Sequence, residues 1–181
     1  MSIHLLASNN SVRNTTLSCD SMGIHYEVSK SSQTGIVSVH RWESTSNQNV
    51  LAGEIEFHWF SADLLRMGDG EWRRRKDLLA NEERNPMSRT RTFTGNNGVR
   101  YKWKFHWDSL QLCHADRDAT NQEALVVYHR HFLPNKPSYL EIRDTSVLPG
   151  LDSIIVTFLY MEKKRRDRDK AQRRHGAGGG P

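Results

Sequence analysis

The chain lacks any apolar run of the ~20 residues that a membrane-spanning helix needs. Its longest, Ile154 to Met161, is interrupted only by Thr157 and is too short to cross a bilayer. It has two cysteines, Cys19 and Cys113, far apart and without CxxC spacing. That excludes a disulfide framework and a zinc knuckle. No P-loop, no GxGxxG after a strand pattern and no GxSxG elbow is present, so no nucleotide or nucleophile motif points to an enzyme. No catalytic residue and no cofactor is assigned. The first residues, Met1 to Asn9, carry too short an apolar stretch for a signal peptide and no basic start. The sequons at Asn9 and Asn14 then read as chance matches, and a cytoplasmic or nuclear address is expected.

Charge is unevenly placed. The net charge is +5, and Glu162 to Arg174 hold eight basic and three acidic side chains. The excess therefore belongs to a C-terminal tail, and the body is neutral overall. A charge run of this kind is commonly a solvated face.

The body reads as short strands with turn punctuation, the pattern of an all-β protein with nine to eleven strands. Ile55, Phe57 and Trp59 alternate with Glu54, Glu56 and His58, which predicts a half-buried strand. Glu71 to Ala80 reads as a strand start passing into a short helix, and Asn81 to Ser88 as a loop. Asn97-Gly98 is a hairpin signal, because both residues tolerate positive φ. After it Val99, Tyr101, Trp103, Phe105 and Trp107 alternate with Arg100, Lys102, Lys104 and His106. One face is apolar and the other basic. Asp116 to Gln122 reads as a polar turn. Pro134 and Pro137 end the strand that begins near Glu123, since proline donates nothing to a ladder.

The run Ile154 to Met161 has no polar face and must be buried on every side. Its β-branched residues favour a strand. The charged continuation favours a helix, with Asp152 or Ser153 as cap and a Glu162–Arg166 pair one turn apart. The residues leave the two readings open.

Several pieces together resemble a fungal family of uncharacterised proteins, a domain of unknown function similar in layout to the tubby-like group. That group includes tubby C-terminal domains, phospholipid scramblases and LURP-one-related proteins. The matching pieces are Asn14-Thr15-Thr16-Leu17 with Gly23 and Tyr26, Gly53-Glu54-Ile55-Glu56, and Arg91-Thr92-Phe93-Thr94 with Gly98. Tyr101-Lys102-Trp103-Lys104, Leu140-Glu141-Ile142 and Leu151 to Leu159 with Glu162, Arg165 and Arg166 complete the set. The resemblance covers roughly residues 10 to 168. It implies a mainly β fold, a closed antiparallel β-barrel around a hydrophobic C-terminal helix at about 152–168. On that reading residues 1–168 form one domain, and 169–181 a basic, then Gly-rich, disordered tail. The resemblance transfers no catalytic residue.

Two basic clusters are the candidate binding residues: Arg73, Arg74, Arg75 and Lys76, and the sheet-face set Arg100, Lys102 and Lys104, with Arg89 and Arg91 across the turn. Their functional reading is contact with anionic, phosphoinositide-type head groups on a membrane. The bland reading pairs the sheet-face cations with Glu54 and Glu56 across the sheet. A protein-interaction module whose charges only solubilise it is the alternative function. Nucleic acid is not favoured, because the aromatics alternate away from the cations. His129 and His131 share a strand face, and with Cys113 or His114 could ligate zinc. No carboxylate or CxxC fixes such a site, so a metal-dependent hydrolase is the weakest alternative.

Overall fold

Alternating burial along short segments builds one antiparallel sheet in this computed structural model, which describes residues 2–81, 88–106, 109–116, 123–131, 133 and 136–176. The strands are β1 (Ile3–Ala7), β2 (Thr15–Cys19), β3 (Ile24–Lys30), β4 (Val37–Glu43), β5 (Gln48–Glu56), β6 (Leu64–Met67) and β7 (Arg73–Arg74). A short helix α1 (Arg75–Leu78) follows, then β8 (Arg91–Thr94), β9 (Arg100–His106), β10 (Ser109–His114), β11 (Val126–His129) and β12 (Tyr139–Ile142). A 3-10 turn over Thr145–Gly150 leads into the long helix α2 (Leu151–Gly176).

Among the described residues the twelve strands form a single sheet in the order β7-β6-β5-β4-β3-β2-β1-β12-β11-β10-β9-β8. Two meanders meet where β1 pairs with β12, Leu5 opposite Leu140. The edge strands β7 and β8 do not pair with each other. One bridge, Ala80 to Thr92, links the segment after α1 to β8.

The helix occupies the core. Leu151 and every residue from Ser153 to Glu162 are buried, so no face of this stretch meets solvent. It touches strands from both halves of the sheet. Tyr26 on β3 donates to Asp152 at 2.6 Å, and the Trp103 indole on β9 donates to Thr157 Oγ1 at 2.9 Å. The ring of Tyr128 on β11 lies 4.7 Å from that of Phe158. The sheet therefore curls round the helix, which explains why the segment has no polar face. Thr157, its one polar interruption, is satisfied on both sides: it accepts from Trp103 and donates back to the Ser153 carbonyl at 2.8 Å.

Close approach is enforced at Gly53. A Cβ there would lie 2.6 Å from the Arg66 carbonyl oxygen and 2.8 Å from Val156 Cγ2. Gly53→Ala is expected to lower stability by about 1–3 kcal/mol through overpacking, read as a lower urea midpoint at an unchanged m-value.

Several expectations change. Met1 to Asn9, weighed only as a failed signal peptide, contains β1, whose Ile3, Leu5 and Ala7 point inward. With it the sheet exceeds nine to eleven strands. Trp59 does not continue the inward face of Ile55: β5 ends at Glu56, and Trp59 is 94% exposed. The helix runs past 168 to Gly176 rather than ending there. The Asn97-Gly98 turn forms, with Gly98 at φ 77° and its N–H bonded to the Gly95 carbonyl. Trp107, Pro134, most of the loop after Asn81, the 117–122 turn and the last residues, 177–181, lie outside the described residues.

Candidate functional site

The end of the sheet from which α2 emerges gathers most of the chemistry. Glu162, the last buried residue of the helix, is wholly inaccessible. It accepts from Arg165 Nε and Arg166 Nε at 2.7 Å each, and Arg130 Nε lies 3.9 Å away. Arg166 reaches on to the Asn10 carbonyl at 2.5 Å and the Tyr128 hydroxyl at 3.2 Å. One carboxylate thus anchors the basic run where it leaves the core.

Beyond Glu162 the helix stands between two grooves. The first, about 930 Å³, has cations Arg13, Lys30, Lys163, Arg166, Lys170 and Arg174 along its walls. The second, about 810 Å³, takes Arg75, Lys76, Arg89, Arg91 and Arg168. Lys164 lines both. The loop between β5 and β6 forms a common lip: Trp59 borders both grooves, and Trp59 and Phe60 are fully exposed. Aromatic side chains of this size left in water are unusual, since each can bury ~150–250 Å².

The acids at this mouth are already engaged. Asp63 accepts from Lys164 Nζ at 2.7 Å, Tyr160 OH at 2.9 Å and the His58 N–H at 3.0 Å. Burial pushes its carboxyl up, but these bonds outweigh it and hold it below the ordinary carboxylate range. Burial, then the Asp63 charge, pushes the Tyr160 phenol up. Asp167 is paired with Lys163.

The two clusters read from the sequence do not form one patch. Arg75 and Lys76 line the second groove, whereas Arg73 and Arg74 lie exposed on β7 and border neither groove. Arg100 is paired with Asp116 at 2.7 Å. It sits beside the hairpin whose Asn96 N–H bonds Ser153 near the start of α2, the end opposite the mouth. Lys102 and Lys104 are half-buried along β9 and border neither groove. The expected pairing of these cations with Glu54 and Glu56 does not occur, because β5 and β9 are far apart in the sheet. Glu54 instead accepts from Ser38 and Arg66, and Glu56 faces His58.

Sequence reasoning singles out Arg75, Lys76, Arg89 and Arg91 as candidates, but not their meeting with the tail at this mouth. Its cations come from the N-terminal loop, β3, α1, the approach to β8 and the tail, and no spacing along the chain links them. The one local signal is Phe57-His58-Trp59-Phe60, four bulky rings that break the alternation of β5.

Two other polar clusters lie away from the mouth. At the start of α2 a pocket of about 530 Å³ is lined by Tyr26, Arg41, Trp42 and Asp152. Its floor is closed on itself: Asp152 accepts from Tyr26 and, at 3.1 Å, from Arg41. His129 and His131 both pack on the Tyr139 ring, at 4.5 and 5.9 Å, with His129 Nε2 2.8 Å from Glu141, whereas His114 stacks on Tyr101 and Cys113 is buried. Among the described residues no group of three or more His, Cys, Asp or Glu is placed to hold a metal ion, and no helix is long and apolar enough to cross a membrane.

No curated protein and no solved structure matches the chain. The chain matches a Family of unknown function (DUF6593) over residues 10–167, the span from the N-terminal loop to the mouth. Because that span covers most of the chain, taking in β2 to β12 and the core helix with its Glu162 anchor, the chain belongs to this family.

Proposed function

We propose that this domain is a non-enzymatic module that docks on anionic membrane surfaces through the mouth at which α2 leaves the sheet. The observation that carries the reading is the exposed Trp59-Phe60 pair set on the lip of two cation-lined grooves. Aromatic side chains favour the bilayer interface. Each lysine or arginine near an anionic leaflet adds ~1 kcal/mol. The two contributions act at one end of the molecule here, so they reinforce each other. The same reading makes the protein peripheral to a cytoplasm-facing membrane. The Ala80–Thr92 bridge supports taking the sheet as the wall of a barrel closed round the helix, as the tubby-like resemblance implies.

Flotation with vesicles tests it. Phosphatidylcholine vesicles should leave the protein behind, and vesicles that also contain phosphatidylserine or phosphoinositide should carry it up. Lys30, Lys170 and Arg174 line the first groove, and among the described residues their side chains hold no ion pair. Changing all three to Gln should therefore weaken partition by roughly a hundredfold, about 3 kcal/mol, with the fold intact. Trp59→Ala with Phe60→Ala should remove the binding that survives high salt. Equal recovery with neutral and anionic vesicles would sink the reading. So would a saturable protein partner indifferent to lipid, which favours the interaction-module alternative.

A further inference from the structure

We infer that the first groove, between the N-terminal loop and α2, is a site for a phosphate monoester, with Arg13 at its centre. The loop that carries Arg13 is held on two sides. Asn14 Oδ1 accepts from the Lys30 N–H at 2.9 Å, which sets the end of β3 beside it. Arg166 donates to the Asn10 carbonyl at 2.5 Å and to Asn10 Oδ1 at 3.0 Å, which ties the loop to α2. Within the loop, Ser11 Oγ accepts from the N–H groups of Arg13 and Asn14 at 3.1 Å each. The groove is therefore shaped by bonds within the fold before any ligand enters.

Its charges do not cancel. Lys163 is paired with Asp167, Lys164 with Asp63 and Arg166 with Glu162. Among the described residues that line the groove, Asp167 is the one carboxylate. Arg13, Lys30, Lys170 and Arg174 line it too, and among the described residues none of them has a carboxylate partner. The Arg13 Cζ lies 5.6 Å from the centre of the Phe57 ring, and its Nε is buried without an acceptor. Lys163 Nζ and Lys164 Nζ lie 5.4 and 5.8 Å from the same ring centre. Burial, helped by the Arg13 and Lys164 charges, holds the Lys163 amine below the ordinary lysine range despite Asp167.

Three cationic heads around one ring make a compact positive focus. A phosphate monoester suits it better than a carboxylate, because it brings two charges and a tetrahedral set of oxygens that several donors meet at once. A buried N–H without an acceptor is costly, and a phosphate oxygen met by a small turn of Arg13 removes that cost. The volume of about 930 Å³ lies within the ~300–1,000 Å³ range of small-ligand sites.

The inference rests on the docking proposal only for the source of the ester, a lipid head group or a soluble metabolite. Calorimetry of the full chain with glycerol phosphate, and with succinate as a dicarboxylate of similar charge, tests the site. A saturable one-site isotherm is expected with the phosphate and not with succinate. Arg13→Gln should weaken it roughly tenfold, the scale of one hydrogen bond to a charged group. Lys102→Gln with Lys104→Gln should leave it unchanged. Should Arg13→Gln fail to fold, Lys30→Gln, at an exposed position at the end of β3, should give a loss of the same sign. No saturable binding, equal binding of succinate, or an equal loss in the Lys102 and Lys104 variant overturns the site. Flotation then separates the sources, with vesicles containing phosphatidic acid, a monoester, set against vesicles containing phosphatidylserine, a diester. A preference for phosphatidic acid that Arg13→Gln removes assigns the site to a lipid. Glycerol phosphate binding with equal flotation on both vesicles keeps the site and assigns it to a soluble ester. The same binding without flotation keeps the site and removes the docking reading. Flotation without glycerol phosphate binding keeps the docking and removes the site.

Discussion

Glu162→Ala is expected to destabilise the domain by about 3–5 kcal/mol, the range for removing one partner of a buried ion pair. Glu162 has no accessible surface, yet it is the shared acceptor of Arg165 and Arg166 and faces Arg130. Those three side chains are themselves only 12–17% exposed. Alanine would leave three guanidiniums close together with little water, with the partly exposed Asp169, 3.6 Å from Arg130 Nη1, as a remaining counter-charge. Arg166 would also lose the bond that orients it toward Asn10 and Tyr128, loosening the tie between the tail and the N-terminal loop. Glu162→Gln keeps the volume and one acceptor but removes the charge, so its effect should fall between wild type and alanine. Urea denaturation followed by tryptophan fluorescence reads both. A loss below about 1 kcal/mol, the scale of an exposed pair, would show that water reaches the cluster.

The same residue shows how far a sequence can be read. The Glu162–Arg166 spacing was legible, because a helical pair one turn apart is a local fact, and it forms at 2.7 Å. That Arg130 and Asn10 join it was not legible, since the sheet order brings them there and no periodicity encodes it. Helix or strand at Ile154 to Met161 was undecidable from propensity, as β-branched residues and good helix formers adjoin. Burial decides it, because only the surrounding sheet makes an all-apolar helix stable. β1 was missed for a related reason: five residues at a terminus alternate too briefly to stand out, and pairing with β12 holds them. How the candidate binding residues group in space was not legible either. Arg73 to Lys76 and Arg100 to Lys104 stand out as runs along the chain, yet of these only Arg75 and Lys76 reach the mouth. Charge runs are visible in one dimension, whereas a site is assembled from charges distant in sequence. Trp59 reads as inward only if alternation is extended three residues past the end of β5 at Glu56.

Trp103→Ala is expected to cost about 3–5 kcal/mol, the range for a large aromatic lost from a core. Trp103 is the largest fully buried side chain among the described residues, and its ring packs 6.1 Å from that of Phe158. It is also the polar pin between β9 and α2, through the 2.9 Å bond to Thr157. The two roles separate by a double-mutant cycle. Thr157→Val keeps the volume but strands the buried indole N–H, which should cost about 1–3 kcal/mol. Trp103→Phe keeps most of the ring but removes the donor. Thr157 then still donates to the Ser153 carbonyl, so the hydroxyl is not left without a partner. Once Trp103→Phe is in place, adding Thr157→Val strands no donor. The double variant should therefore be more stable than the sum of the single effects predicts, by 0.5 kcal/mol or more, on the order expected for contacting residues. Strict additivity in urea midpoints would show that the indole N–H finds another acceptor, and that shape rather than hydrogen bonding sets the helix against β9.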